Sequence, residues 1–438
     1  MNWKMVRGRL AAVGARAGLY GRTMLWWLLL AAVTGGLCGL LGTAFHRGVE
    51  YAASLRAAHP WLLWCLPLAG LAIVAIYRLT GTEGVGTNDV LEEVHHGRGL
   101  PLPLLPAIFC GTVLTHLCGG SAGREGAALQ MGGTIGYHTG RLLHLDDRDL
   151  RTATMTGMAA FFSALFGTPL AAAVFAGMVV SVGAFYHADL VPSLLAALIA
   201  YGVSRLLGVA PTRFSAAVPA LAAGTMVRVA VLGVLCGLVA MVFCGGIHLA
   251  EHRLQRWIPN AWLRAAAGGL AVAVLTTFLG TTDYNGAGMD VITAAVENGQ
   301  AAPAAAWWKL VFTALTLGAG FKGGEVVPSF FVGAAFGCVV GPLLGLPAGF
   351  AAAVGLAAVF CGAVNCPLAS TFLAVELFGA GGLWYFALAC CLSYVFSGYS
   401  GLYSSQTILY SKLKARYLNV QTNHHRAEPL PEEETPKP

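Results

Sequence analysis

Two glutamates flanked by glycines sit inside stretches that are otherwise apolar. Glu125 lies in GGSAGREGAALQMGG (119–133), and Glu325 lies in GAGFKGGEVVPSFFVGAAFG (318–337). The glycines let the backbone turn without a side-chain clash, and the next helix then begins with free N–H groups. Such a helix start attracts anions through its unpaired amides and its dipole. A glutamate placed there can fill the site with its own carboxylate. Protonation neutralises that carboxylate and vacates the site, so one side chain can link proton movement to anion movement. The alternative for an isolated Gly-Arg-Glu-Gly is a capping glutamate paired with Arg124. Recurrence of the pattern, with Glu125 and Glu325 standing 200 positions apart, favours the functional reading.

A third polar break, TGTEGVGTNDVLEEVHHGRGLP (80–101), precedes both. Gly84, Gly86, Thr87, Asn88 and Asp89 form a turn entering a helix, and Thr87 and Asn88 carry donors suited to an anion. The competing role is an ordinary N-cap, with Asp89, Glu92 and Glu93 in the first turns. His95 and His96 read as solvated loop residues, and His116 as a packed, hydrogen-bonded histidine rather than a proton relay. Late in the chain, SGYSGLYSSQTILYSKLKARY (397–417) sets Tyr399 and Tyr403 ahead of an expected amphipathic helix. A phenol at membrane depth can donate to an anion, although tyrosine is also common at membrane interfaces.

The elements that must position these residues are membrane helices. Hydrophobic residues make up 57% of the 438 and charged residues only 11%, whereas soluble domains carry about 25% charged residues. Full spans are expected at 24–45, 60–78, 221–249 and 382–398. Shorter, Gly- and Pro-broken segments are expected at 103–118, 126–143, 152–166, 169–183, 304–319, 325–344, 347–363 and 367–378. Broken helices at membrane depth are tolerated only where protein buries them or water reaches them. The first run, MLWWLLLAAVTGGLCGLLGTAF, reads as a retained helix rather than a signal peptide. The net charge of +6 lies mostly at the ends, in Lys4, Arg7, Arg9, Arg16 and Arg22 and in Lys412, Lys414 and Arg416. By the positive-inside rule both termini are cytoplasmic in a bacterial-type inner membrane, and a nucleic-acid partner is excluded. The eleven cysteines lack metal-ligand spacing and read as small buried apolar residues. No metal or cofactor is expected.

The halves correspond. FSALFGTPLAAAVFA (162–176) matches FCGAVNCPLASTFLA (360–374), with Pro169 and Pro367 at nearly the offset of the two glutamates. The reading is a cytoplasmic segment 1–23, a transmembrane domain 24–410 built of repeats 24–210 and 221–410, and a disordered cytoplasmic tail 411–438. An inverted repeat would bring the broken-helix starts together near the midplane.

Together these residues resemble the CLC family of chloride channels and anion/proton antiporters. GREGAALQMG, GGEVVPSFFVGAAFG, FGTPLA, VNCPLAS and GLYS all match its motifs in order, from about residue 25 to 416. The resemblance implies an all-α polytopic inverted repeat and a homodimer with one pathway per subunit. It also implies that Glu125 is the gating, proton-coupling residue and Tyr403 the inner anion-coordinating tyrosine. Gly86-Thr87-Asn88-Asp89 replaces the Gly-Ser-Gly-Ile-Pro of chloride-selective members and is closer to the fluoride/proton antiporter branch. Glu325 fits that branch too, and has a possible role in coupling. The expected anion-binding set is Gly86, Thr87, Asn88, Gly123, Arg124, Gly126, Gly324, Val326, Val327 and Tyr403. Met178 and Val179 stand where chloride/proton exchangers carry an internal glutamate, so Glu125, with Glu325, would carry the proton. Asp89, and Val327 in place of a threonine, depart from the branch. The expected function is fluoride export coupled to proton import, with a chloride channel or chloride/proton antiporter as the alternative. An intramembrane enzyme is disfavoured, because no nucleophile–base pair or metal spacing accompanies either glutamate.

Overall fold

The computed structural model describes residues 3–414 and 416–423, with the backbone alone for residues 3–20 and Arg22. The first eight helices are α1 (Trp3–Ala58), α2 (Leu66–Leu79), α3 (Thr87–His96), α4 (Leu104–Leu117), α5 (Glu125–Leu142), α6 (Asp147–Phe166), α7 (Pro169–Val179) and α8 (His187–Leu206). Eight more follow: α9 (Ala223–Trp257), α10 (Ala261–Leu279), α11 (Met289–Glu297), α12 (Ala305–Gly318), α13 (Val326–Val340), α14 (Ala348–Val364), α15 (Pro367–Phe378) and α16 (Leu383–Phe396). Each helix of the first set has its counterpart in the second.

Among the described residues, five helical stretches are long and apolar enough to cross a membrane: Thr23–Ala58, Pro60–Leu79, His187–Leu206, Ala223–Trp257 and Ala261–Leu279. The expected span at 382–398 is instead the 14-residue α16. Spans α8 and α10 went unrecognised because Asp189 and Arg264 interrupt their apolar runs near the start.

The repeat is written into the packing. On α5 and α6, a Cβ at Gly132 would strike the Gly157 carbonyl and one at Gly136 would strike that of Ala153. On α13 and α14, Gly333 faces the Gly355 carbonyl and Gly337 that of Ala351 in the same way. Glycine faces let two backbones approach closely, which membrane helices use in place of a hydrophobic driving force. Both second helices also stop alike, with α6 ending at Gly167 (φ 69°) and α14 at Asn365 (φ 60°). The two repeats meet at Gly123 and Gly324, which exchange both backbone hydrogen bonds, at 2.7 and 2.9 Å, in an antiparallel bridge. Equivalent residues paired in this way are related by a local twofold axis, as an inverted repeat requires.

The C-terminal region corrects the sequence reading. Among the described residues no amphipathic helix follows Tyr403; instead β2 (Thr407–Tyr410) pairs in parallel with β1 (Ser181–Val182) and antiparallel with β3 (Tyr417–Gln421). The tail therefore holds a strand rather than disorder within its described residues, 411–414 and 416–423, and residues 415 and 424–438 lie outside the described ones. Its polar residues satisfy helix ends. Gln406 Nε2 donates to the carbonyls of Val179 and Val364, the last residues of α7 and α14, at 2.8 and 2.9 Å. Lys412 Nζ donates to Asn365 Oδ1, the Tyr394 carbonyl and Ser397 Oγ. Unpaired carbonyls at helix ends need such partners when water is absent. Eight of the eleven cysteines are buried.

Candidate functional site

Two helix starts converge on one side chain. The α5 helix begins at Glu125 after Arg124, and α13 begins at Val326 after Glu325. Structural equivalence thus runs at an offset of 201, pairing Arg124 with Glu325 and Glu125 with Val326. The 200-residue match of the two glutamates in the sequence is one position out of register. The physical reason is that each glutamate borders the same break, one just inside its helix and the other just outside.

Glu125 is fully buried. Its Oε2 accepts from the Arg124 amide at 2.9 Å and from the Val327 amide at 3.3 Å. One carboxylate therefore spans the start of its own helix and that of α13, the arrangement expected of a bound anion. It folds back over Gly123, where any Cβ would meet Oε2. The second oxygen, Oε1, is buried without a hydrogen-bond partner, and its nearest cation is Arg124, with Nε at 4.0 Å. Gly126 packs against the Gly323 carbonyl and Gly324 Cα, which holds the two breaks in register.

The first motif reaches this centre through α5. Gln130 Nε2 donates to Thr87 Oγ1 at 3.1 Å, and Thr87 Oγ1 lies 3.5 Å from the Gly126 carbonyl. Asn88 Oδ1 accepts from the Ser405 amide at 3.2 Å and from its hydroxyl at 2.9 Å, tying the motif to the Tyr403 loop. Asp89 turns back to the Gly86 amide at 2.8 Å. It is a capping residue and uses the donor that Gly86 would otherwise offer. Tyr403 is 2% exposed and its hydroxyl has no partner among the described residues. Its backbone is fixed by Leu402 N–H to the Ala363 carbonyl at 2.9 Å. Tyr399 is peripheral, donating to Ser411 Oγ. Glu325 likewise leaves Oε2 buried and unpartnered.

His116 is buried with Nε2 3.4 Å from the Gly123 carbonyl. His95 is not in a solvated loop: it lies in the last turn of α3, which ends at His96, and contacts the Val180 carbonyl at 3.1 Å. A cavity of about 910 Å³ opens beside Glu125, lined by His46, Glu50, Arg56, His116, Arg124 and Val327, among others. The sequence reading missed His46, although the polar cluster His46-Arg47-Glu50 inside an apolar span was a visible signal. It also missed Lys309, fully buried, whose Nζ donates to the carbonyls of Tyr284 (3.2 Å) and Gly286 (2.6 Å) and so pins the loop on one side of the cavity.

Residues 69–398 match the family profile described as voltage gated chloride channel. A protein of Pseudomonas syringae pv. tomato named chloride/fluoride channel protein is 38% identical over 421 residues, covering 93% of this chain and 89% of the relative. An H(+)/Cl(−) exchange transporter of Salmonella paratyphi B is 27% identical, covering 81% of this chain and 82% of its own length. Among solved structures, a CLC-type fluoride/proton antiporter superposes with a TM-score of 0.84 at 35% identity, over 87% of this chain and 98% of that one. A slow cyanobacterial Cl−/H+ antiporter shares the fold, with a TM-score of 0.74 at 21% identity over 85% of this chain and 94% of that one. With its paired repeats, converging helix starts and these matches, the chain belongs to the CLC family of voltage gated chloride channels and related anion transporters.

Proposed function

We propose that this CLC protein exports fluoride in exchange for protons, with Glu125 as the coupling residue. The observation that carries the reading is the Glu125 carboxylate lying across the Arg124 and Val327 amides with its second oxygen unpartnered. Protonation removes the charge that holds this carboxylate on the two helix starts. The vacated amides then suit a small anion, and fluoride is a strong acceptor whose lost hydration must be replaced by close donors. Thr87, Asn88 and Tyr403 are proposed to supply further donors along the path, Asn88 through an Nδ2 that bonds no described residue. The Gly86 amide, taken by Asp89, is left out of that set.

The likeness to a fluoride/proton antiporter and the absence of the chloride motif's serine support fluoride over chloride. Glu325, which does not line the cavity beside Glu125 and has no described partner at Oε2, is proposed to assist proton movement on the opposite side. We further propose a homodimer with one pathway per subunit, in the bacterial plasma membrane with both termini cytoplasmic. A second reading, a passive channel for fluoride or chloride, is favoured by the name of the Pseudomonas relative.

The test is efflux from proteoliposomes, with fluoride and chloride electrodes and a pH probe. Fluoride efflux with matched proton uptake, lost in Glu125→Gln, supports the antiporter. Efflux without proton movement selects the channel, and faster chloride efflux overturns the fluoride assignment.

A further inference from the structure

Arg124 makes one described side-chain hydrogen bond, and it does not go to Glu125. Its Nη1 lies 2.6 Å from His46 Nδ1, and His46 Nε2 lies 2.9 Å from Glu50 Oε1. A guanidinium has donors and no acceptor, so Nδ1 must present its lone pair to Arg124. The ring's N–H is then on Nε2 and faces Glu50. His46 is thus a neutral bridge between a cation and a carboxylate. The row Glu50, His46, Arg124, Glu125 runs from an exposed side chain at the cavity wall to the buried carboxylate. Meanwhile Glu125 Oε1, the nearest free acceptor, stays 4.0 Å from Arg124 Nε with no partner.

We propose that His46 is a positioning residue for Glu125: it holds the Arg124 guanidinium outward and prevents a closed ion pair that would fix Glu125 in its ionised form. The charged and titratable groups that share the cavity with His46 are Arg47, Glu50 and Arg56 of α1, His116 of α4, Arg124 of α5, and Asp283 and Asp290, of which Glu50 and Arg124 touch it. Arg124 touches His46 at 2.6 Å and is the cation nearest Glu125 at 4.0 Å, so loss of the imidazole acts on the carboxyl through that side chain. Released, the guanidinium closes on Oε1, and an opposite charge in contact favours the ionised carboxylate by about one pH unit or more. The inference takes the proton-carrying role of Glu125 from the reading above.

The experiment follows Glu125 itself. Infrared difference titration of the full-length protein in liposomes records the carbonyl band of its protonated carboxyl, identified by its loss in Glu125→Gln. In His46→Ala the midpoint of that band falls by about one pH unit. In His46→Gln, which keeps an acceptor for Arg124 and a donor for Glu50 but cannot titrate, the midpoint stays at the wild-type value. An unmoved or raised midpoint in His46→Ala overturns the proposal, as does a His46→Gln shift equal to that of His46→Ala. Should His46→Ala fail to fold, His46→Leu, which fills the space but offers Arg124 no acceptor, gives the same fall, and no fall there overturns the proposal. Transport assays on the same vesicles separate the two readings. A band that shifts while fluoride moves without protons removes the antiporter and leaves His46 in place; no Glu125-dependent band at all removes both.

Discussion

At Gly123 and Gly324 two equivalent breaks exchange hydrogen bonds, yet the residues that follow differ: Arg124-Glu125 on α5, Glu325-Val326 on α13. The backbone symmetry aims both helix starts at one place. The side-chain asymmetry decides how that place is used. Only α5 carries a carboxylate inside its first turn, and it reaches across to an α13 amide. Val326 cannot return the contact, so one titratable group occupies both starts. At the cap positions the charges are opposite, Arg124 lining the cavity of about 910 Å³ and Glu325 absent from it. A symmetric frame thus carries opposite charges at equivalent cap positions, the cation at the cavity wall and the carboxyl away from it.

The largest effect tests the side-chain half of this contrast. Glu125→Gln is expected to lower proton uptake by at least about a hundredfold, the range of a lost proton-transfer group, read as alkalinisation around loaded vesicles. The next tests the backbone half. A Cβ at Gly324 meets backbone, the Glu125 and Gly126 amides, whereas at Gly123 it meets chiefly the movable Glu125 carboxylate, with Gly324 O and Pro328 Cδ at 3.1 Å. Gly324→Ala should therefore destabilise by about 2–3 kcal/mol and Gly123→Ala by about 1 kcal/mol, compared as thermal unfolding in detergent. Equal losses would break the asymmetry argued above. Glu325→Gln is expected to slow coupled transport by roughly tenfold, about 1.4 kcal/mol, with its residual proton coupling setting it apart from Glu125→Gln. Val327→Thr should be the mildest. A hydroxyl beside the amide that Glu125 now uses adds one donor, about 1 kcal/mol at most, and a severalfold gain in fluoride over chloride competition would show it.

Glycine and proline made much of this legible in the sequence. A Cβ has no room at the breaks Gly123 and Gly324, and proline is pre-organised for the first helical position it takes in α7 and α15, so these places announce themselves. The register between repeats was not legible, because the offset drifts from 198 at the prolines to 201 at the breaks, and one residue separates a glutamate's partner from an arginine's. The C-terminal strands were hidden for a different reason. Gln406, Lys412 and Asn423 serve carbonyls and side chains from distant elements, and such contacts leave no periodicity in a polar tail. Asp89 was ambiguous in sequence, since a capping carboxylate and a pathway carboxylate look the same until the Gly86 amide is seen beneath it.

The hydrogen-bonded pair at Gly123 and Gly324 also speaks to ancestry. Each repeat supplies one amide and one carbonyl there and has nothing of its own to satisfy them. An ancestor the length of one repeat could have completed this centre only by meeting a second copy inserted upside down. Duplication and fusion of such a unit would turn an encounter between chains into a fixed fold, and would free the two copies of Arg124's position to diverge into opposite charges.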